Sequence, residues 1–461
     1  ALPIYRNETS RFADEHWQIR VGTDAALALA IGREILVRGY EDRDYLARFA
    51  HGLEDYREAC DAWTLPRAAE YCDVPLEALQ QMVEDLKKRG PCFIKVGYGM
   101  TRNEGGGNAL RAITLLPALL GSWKHRGGGA SLSTSGAFQL NRREVVGSHL
   151  ASPHARHVNM NQLASELLAD PVRIRGLFVY NSNPAAVAPD SSRVRAGLSR
   201  EDLFTVVLEH FQTDTADYAD YLLPATTFLE HADVYTAYGH YHLQYAEPVV
   251  GARGEAKTNR WFFQQLVRSM GLDVPCLHWD TDTLIDKLLA STNPFLEGIT
   301  RDELKVKRSI KLRLPTPFLP YVDGSHHDDR KIKFSPPPKQ LEFEEQPNEE
   351  YPLRLISPPG AVVVNTTMGN VPSILKLAGG EPSVLIHPQD AARFAINDGS
   401  RIRIVSRTGS ILRKGVVTED AKEGVLISVG QWWPKLSADK KSLNDLTSER
   451  LTDLGGGSTF G

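Results

Sequence analysis

The sequence predicts an α/β protein: parallel-sheet units followed by a small β-barrel at the C-terminal end. Three observations carry this prediction. Short apolar runs alternate with amphipathic helical segments through the first half, the order that a parallel sheet with crossover helices requires. A proline-rich, charged stretch over residues 314–352 then interrupts the alternation. Beyond Tyr351 the pattern turns to short β segments broken by turns such as Asn397–Asp398–Gly399 and Thr408–Gly409.

Taken in order, residues 24–38 carry apolar positions at helical spacing, with Thr23 or Asp24 placed to cap the start and Gly39 to end it. Further short amphipathic segments follow, the last of them VPLEALQQMVEDLKK with Pro75 near its first turn. CFIKVG (92–97) reads as a short buried strand, followed by a glycine loop and a helix starting near Asn108. The same unit recurs at GLFVY (176–180), a helix near 190–198, FTVVLE (204–209) and YLLP (221–224). Short connections predict a parallel sheet with its loops gathered at the strands' C-terminal ends. Residues 314–352, with Pro315, Pro317, Pro320, Pro336, Pro337, Pro338, Pro347 and Pro352, read as a stiff linker. The final β segments are LRLIS, SVLIH, RIRIVS, ILRKGVV and GVLISVG, with one helical stretch, PQDAARF.

At 461 residues the chain has room for about three domains. With 42% hydrophobic and 24% charged residues it supports packed cores and is not disordered, collagen-like or disulfide-dense. The formal charge of −4 offers no basic nucleic-acid footprint. No apolar run reaches the roughly 18 residues that span a bilayer. Cys60, Cys72, Cys92 and Cys276 are scattered, without the spacing of a zinc or iron–sulfur site, and read as buried free thiols in a reducing compartment. The chain opens at Ala1 in loop-like text, Ala1–Arg6, without an initiator Met or a signal segment, so it is expected to be a piece of a longer polypeptide.

Glycine clusters at Gly105–Gly107, Gly127–Gly129 and Gly455–Gly457 are either phosphate cradles or flexible turns, and each alone reads as a turn. Gly22–Thr23–Asp24 before a helix is an anion-compatible terminus that helix capping explains equally well. Neither G-x-G-x-x-G nor a Walker loop stands in strand-to-helix context, and no nucleophilic triad, H-E-x-x-H or EF-hand loop is present. In Tyr238–Gly239–His240–Tyr241–His242 the two histidines alternate as strand residues on one face. They are either half-buried strand positions or two metal ligands lacking a third. His326 and His327 read as solvated linker residues.

The ordered set VGTDAALALA, VGYGMTRNEGGG, GGGASLSTSG, VYNSNPAA, LEHFQTDTADYADYLLPATTFLEH, GEAKTN, VNTT, HPQDAARFAINDGSRIRIVSRTGSI, GQWW and LNDLT spans nearly the whole chain. It resembles the molybdopterin-dependent oxidoreductases of the dimethyl sulfoxide reductase type, which include formate dehydrogenases and nitrate reductases. The resemblance implies two α/β domains and a C-terminal six-stranded double-psi β-barrel, divided as 1–137, 138–345 (with the proline-rich stretch) and 346–461. It implies two molybdopterin guanine dinucleotides holding molybdenum or tungsten, and two-electron redox or oxygen-atom transfer on an unidentified small molecule. Gly22, Thr23 and Asp24 would contact one dinucleotide. Tyr98, Gly99, Met100 and Arg102 match a segment close to the metal, and Ser135 and Gly136 one beside the pterin. Ser182, Asn183 and Pro184 leave a strand end, Glu209 matches a carboxylate that reads the nucleotide, and Thr213 is its neighbour. Asn259 stands where the family often has Asp, which weakens its guanine or ribose contact. Asn365, Thr366, Gln431 and Asn444 match positions closing over the pterins. Arg102, Tyr98 and His240 are the candidate catalytic lining.

The family's metal ligand, and its iron–sulfur cysteines when present, precede the GTD segment, so no metal ligand is assigned here. A [4Fe–4S] cluster, an electron-transfer subunit and any twin-arginine signal are left to sequence before Gly22. Cytoplasm is the default compartment, with periplasm the outcome if such a signal exists. The competing reading is a pterin-free scaffold, since the large subunit of respiratory NADH dehydrogenase resembles this family in fold. Retention of GTD, NSNP, Glu209 and NTT favours cofactor binding.

Overall fold

The structure, a computed structural model, describes residues 4–337, 341 and 346–460. Ala1, Leu2 and Pro3 of the opening loop, Pro338 of the proline-rich stretch and Gly461 lie outside them. Among the described residues no helix is long and apolar enough to cross a membrane.

The first core is built around the helix Asp24–Val37, whose Ala25–Gly32, Ile35 and Leu36 are all buried. Its run of small side chains lets the helices Gly106–Leu119 and Leu65–Cys72 approach closely. Gly39 ends it as expected: at φ +64° it donates to Leu36 O while Tyr40 N–H reaches Ile35 O, the paired bonds of a left-handed C-terminal cap. The helix Leu76–Lys88 buries Leu79 and Val83 and ends on Lys87 and Lys88, which complement its dipole. Each such buried aliphatic side chain contributes about 1.5–3 kcal/mol. The strand Phe93–Lys95 pairs in parallel with Gly129–Ser131. It is not the buried strand expected. Ile94 packs on the core, but Phe93 is 52% exposed, because alternation turns it outward.

The second parallel sheet forms as read, in the order Gly176–Tyr180, Phe204–Glu209, Tyr221–Pro224. One face packs on the helices Leu163–Leu167 and Ser191–Leu198 through Leu167, Val194, Leu198 and Leu177. On the other, Phe262 and Phe263 of the helix Asn259–Ser269 meet Phe178 and Tyr180 at 6.4 and 5.2 Å between ring centroids. A single second α/β unit was the expectation. Instead the following residues build their own core of Leu243, Ile285, Leu304 and Ile310. It surrounds an antiparallel sheet of Asp233–Tyr235, His242–Ala246 and Ser309–Lys311, since the turn at 236–241 reverses the chain.

The proline-rich stretch is more than a linker. Its Ile332–Lys333 pairs in parallel with Ala50–His51, and Phe334, 1% exposed, sets its ring edge-on to Tyr56 at 5.4 Å. Prolines suppress helix here but leave a short strand free to add to an existing edge.

At the C-terminal end, five strands form one mixed sheet in the order Arg354–Ile356, Val425–Ile427, Ser383–Ile386, Ser410–Val417, Arg401–Val405. The sixth strand of the expected barrel is not among the described residues. Ser410–Val417 alternates inward and outward side chains, with Ile411 fully buried.

Candidate functional site

The loops leaving the parallel strands converge on the C-terminal sheet. Past Tyr180 the chain turns through Asn181, at φ +54°, into Ser182, Asn183 and Pro184, where the short helix Pro184–Val187 begins. Asn183 is 3% exposed and works inside the protein. Its Oδ1 accepts from Thr215 N–H (3.0 Å) and Thr215 Oγ1 (2.7 Å), and its Nδ2 donates to Asp214 Oδ2 at 3.3 Å. Asn183 therefore fixes the loop that carries Thr213, itself buried, rather than presenting its own side chain.

Burial raises the Asp214 carboxyl above its ordinary value, against opposing hydrogen bonds from Lys435 N–H and Asn183. The Lys435 ammonium donates to Gln212 O (2.9 Å) and Thr213 O (3.2 Å). Two residues earlier, Trp433 Nε1 donates to Thr366 O at 2.8 Å, gripping the tight turn in which Asn365 has φ +52°. Gln431 Nε2 donates to Asn444 Oδ1 (3.3 Å), and Asn444 Nδ2 to Val187 O (2.7 Å). Asn183, Thr213, Thr366, Gln431 and Asn444 are thus drawn into one seam between the parallel sheet and the C-terminal sheet. Neither Asp214 nor Lys435 was singled out from the sequence, since a charge in a polar loop carries no pattern of its own.

Asn259 joins the same rim. It opens its helix and donates through Nδ2 to Asn181 Oδ1 at 2.9 Å. Glu209 ends its strand, with Oε1 accepting the His210 N–H at 2.8 Å, and Ala225 N–H donates to the Glu209 carbonyl beside Lys257.

Asn259 Oδ1 at the rim and Gln431 Oε1 in the seam are buried without a hydrogen-bond partner, as is Ser437 Oγ two residues past Lys435. A buried acceptor left unmatched costs about 1–3 kcal/mol, so the two amide oxygens fit a polar ligand that donates to them.

Gly22, Thr23 and Asp24 follow Val21, which packs on Ala421 and on Val425 and Ile427 of the C-terminal sheet. Gly22 and Thr23 line a cavity of about 200 Å³ with Arg20 and Tyr71. Thr23 does not cap its helix through its side chain; the hydroxyl donates to Arg20 O at 2.8 Å. Asp24 keeps a narrow opening to solvent yet is packed deeply enough that burial pushes its carboxyl up to about 6, a backbone N–H opposing. A polar cavity beside a carboxyl held in low dielectric suits a nucleobase edge.

A third group surrounds the turn Tyr98–Arg102. The Tyr98 ring meets Tyr238 at 5.5 Å, and Met100 N–H donates to Gly97 O. Open space lies where side chains would stand on Gly99 and Gly136. Ser135 and Ser133 share a hydroxyl bond of 2.9 Å. Thr134 Oγ1 lies 3.0 Å from the carbonyls of both Ala237 and His240, tying the tyrosine–histidine loop to the Ser135 turn. His240 does not alternate with His242 on one strand, as expected, because the strand begins only at His242. His240 is exposed and its Nδ1 accepts the His242 N–H at 3.2 Å. Arg102 is exposed, with its carbonyl held by Phe460 N–H at 2.9 Å. Among the described residues no group of three or more His, Cys, Asp or Glu side chains is placed to hold a metal ion. The histidines His326 and His327 are exposed, as read.

The Gly105–Gly107 cluster is a close-approach site and not a phosphate cradle. Asp453 already occupies the N-terminus of the helix that it opens, accepting from Gly107 N–H and Asn108 N–H at 2.9 Å each.

Residues 4–269 match the family model described as Molybdopterin oxidoreductase, and residues 353–461 that described as Molydopterin dinucleotide binding domain. The chain is 34% identical over 468 residues to the probable oxidoreductase YoaE of Bacillus subtilis, covering 100% of this chain and 68% of that protein. It is 25% identical to the trimethylamine-N-oxide reductase of Haemophilus influenzae, over 93% of this chain and 60% of that one. With formate dehydrogenase H of Escherichia coli it shares 23% identity, over 97% and 65%. Among solved structures, acetylene hydratase from Pelobacter acetylenicus superposes with a TM-score of 0.75 at 19% identity, covering 100% of this chain and 68% of that one, a likeness of fold.

Proposed function

Because the chain belongs to the molybdopterin oxidoreductase family, we propose that it binds two molybdopterin guanine dinucleotides and carries out two-electron redox, or oxygen-atom transfer, on a small-molecule substrate. The observation that carries this is that two of the residues expected to bind cofactor, Asn259 and Gln431, each keep a buried acceptor, Oδ1 and Oε1, without a partner in the protein. When bound, the molybdenum or tungsten and its pterins supply the two-electron couple.

The chain's own residues bind and orient. Asp24 and the Gly22–Thr23 cavity take one nucleotide, with the carboxyl accepting donors from a guanine edge once it ionises above about 6. Glu209, Thr213 and Asn259 take the other, on a rim that Asn183 and Pro184 hold from beneath, beside Ser182. Asn365, Thr366, Gln431 and Asn444 close over the pterins, with Ser135, Gly136, Gly99 and Met100 alongside. Arg102 draws anionic substrate or phosphate by its charge, and Tyr98, Tyr238 and His240 line the approach.

The same reading divides the chain at 137/138 and 345/346 and closes the last sheet as a six-stranded double-psi barrel. It assigns the metal ligand, and any [4Fe–4S] cluster, to sequence preceding Gly22. Four unpaired cysteines fit a reducing cytoplasm, and an electron-transfer subunit is the expected partner.

The test is metal analysis and nucleotide release on the full-length protein. Molybdenum or tungsten with about two guanine nucleotides per chain is expected, and less nucleotide in Asp24→Ala or Glu209→Ala. A protein holding neither metal nor pterin, with both variants unaltered, is the scaffold and overturns the proposal.

A further inference from the structure

The segment after the last strand, residues 449–460, bridges two cores. On one side Gly456 O accepts from Asn159 Nδ2 (2.9 Å) and Asn161 Nδ2 (3.1 Å), the Ser458 hydroxyl donates to Asn161, and Glu449 takes the Ser165 N–H. On the other side stands Asp453. Its Oδ1 accepts from Gly107 N–H (2.9 Å), and its Oδ2 from Asn108 N–H (2.9 Å) and Asn108 Nδ2 (2.8 Å). A carboxylate thus sits on the N-terminus of the helix Gly106–Leu119, where unpaired N–H groups and the helix dipole favour negative charge. Small residues permit the approach: a Cβ on Gly107 would meet Leu454 Cβ at 2.7 Å, and one on Gly106 would meet Met100 O at 1.9 Å. Two backbone bonds flank the cap, Asp453 N–H to Glu104 O (3.0 Å) and Phe460 N–H to Arg102 O (2.9 Å).

The Tyr98–Arg102 turn is otherwise tied mainly to itself. Thr101 Oγ1 donates to Tyr98 O (3.1 Å), Asn103 Nδ2 to Gly99 O (3.1 Å) and Met100 N–H to Gly97 O (3.3 Å). Local bonds set its shape but not its place. Its place is set by the Phe460 N–H bond to Arg102 O, by the Tyr98–Tyr238 contact and, through the following helix, by Asp453 of the 449–460 bridge.

We propose that Asp453 is a positioning residue for the Tyr98–Arg102 turn, acting through the helix N-terminus that it caps. This rests on the reading above that the turn faces the reacting group. The residue works by charge as well as by fit, so Asp453→Asn, which keeps the packing on Gly107 and Leu454, should behave as Asp453→Ala does.

Amide hydrogen exchange on the full-length protein tests it. In both variants residues 98–108 should exchange faster by about tenfold or more, with the strands Ser383–Ile386 and Ser410–Val417 unchanged. No change in either variant, a change in the alanine variant alone, or faster exchange everywhere overturns the proposal. In metal-loaded enzyme, partial reduction with dithionite should give a Mo(V) (or W(V)) spectrum altered in both variants at unaltered metal and pterin content. A spectrum identical to wild type overturns the positioning role. A protein that binds no metal removes the proposed function, while the exchange result still decides whether Asp453 holds the turn.

Discussion

Replacing Asp24 with Asn separates what that carboxyl costs the fold from what it does for a ligand. Burial raises it from 3.8 to about 6. At about 1.4 kcal/mol per tenfold change, this is a destabilisation of about 3 kcal/mol once the group is ionised, an upper figure because Asp24 keeps an opening to solvent. The folded state holds the proton more tightly than the unfolded chain. Stability from this group is therefore complete below 3.8 and falls as pH rises to about 6, beyond which the loss is constant. Asparagine is close in shape and carries no charge to bury. In pterin-free protein, urea unfolding followed by tryptophan fluorescence should give matching midpoints at the acid end. By pH 7 the Asn variant should be more stable, by up to about 3 kcal/mol. A difference independent of pH, or a wild type that gains on the variant as pH rises, would refute the reasoning.

Gln431→Met removes a buried acceptor that has no partner together with the long Nε2 bond to Asn444 Oδ1, two changes of opposite sign, so pterin-free protein should unfold within about 1 kcal/mol of wild type in urea, while the pterin content of the loaded protein falls. Arg195 meets Asp445 at 2.5 Å, with the two side chains 17% and 2% exposed. Arg195→Met should destabilise by about 3 kcal/mol, because the carboxylate stays buried, and Arg195→Met with Asp445→Leu should cost less than the two singles summed. Burial pushes the Cys60 thiol up to about 12 and those of Cys72 and Cys92 to about 11. At pH 8 only about one in a thousand or fewer is thiolate, so mass spectrometry should find all three unlabelled by iodoacetamide until urea is added.

Helix Asp24–Val37 and the strands 176–180, 204–209 and 221–224 were legible because periodicity and caps are local signals. Phe93 misled because an apolar run of a few residues looks alike whether one face or both are covered. In the site, the ordered motifs located the loops but not the duty of each side chain. Asn183 reads as a ligand contact yet braces Thr215, and Gly107 reads as part of a flexible turn yet receives Asp453. Both outcomes depend on a partner distant in sequence, 32 residues away in one case and 346 in the other, which no local pattern encodes. The split of residues 138–312 into two cores escaped for the same reason, since strand direction is decided by pairing.

The pairing of Ala50–His51 with Ile332–Lys333 has a consequence for biosynthesis. A ribosome that has just released His51 must add 333 − 51 = 282 residues before the matching edge emerges. At about 5–20 residues per second that takes about 14–56 s. Throughout that interval the flank of Tyr56 which Phe334 later covers stands bare on a nascent domain, a standing invitation to chaperones and to other newly made chains.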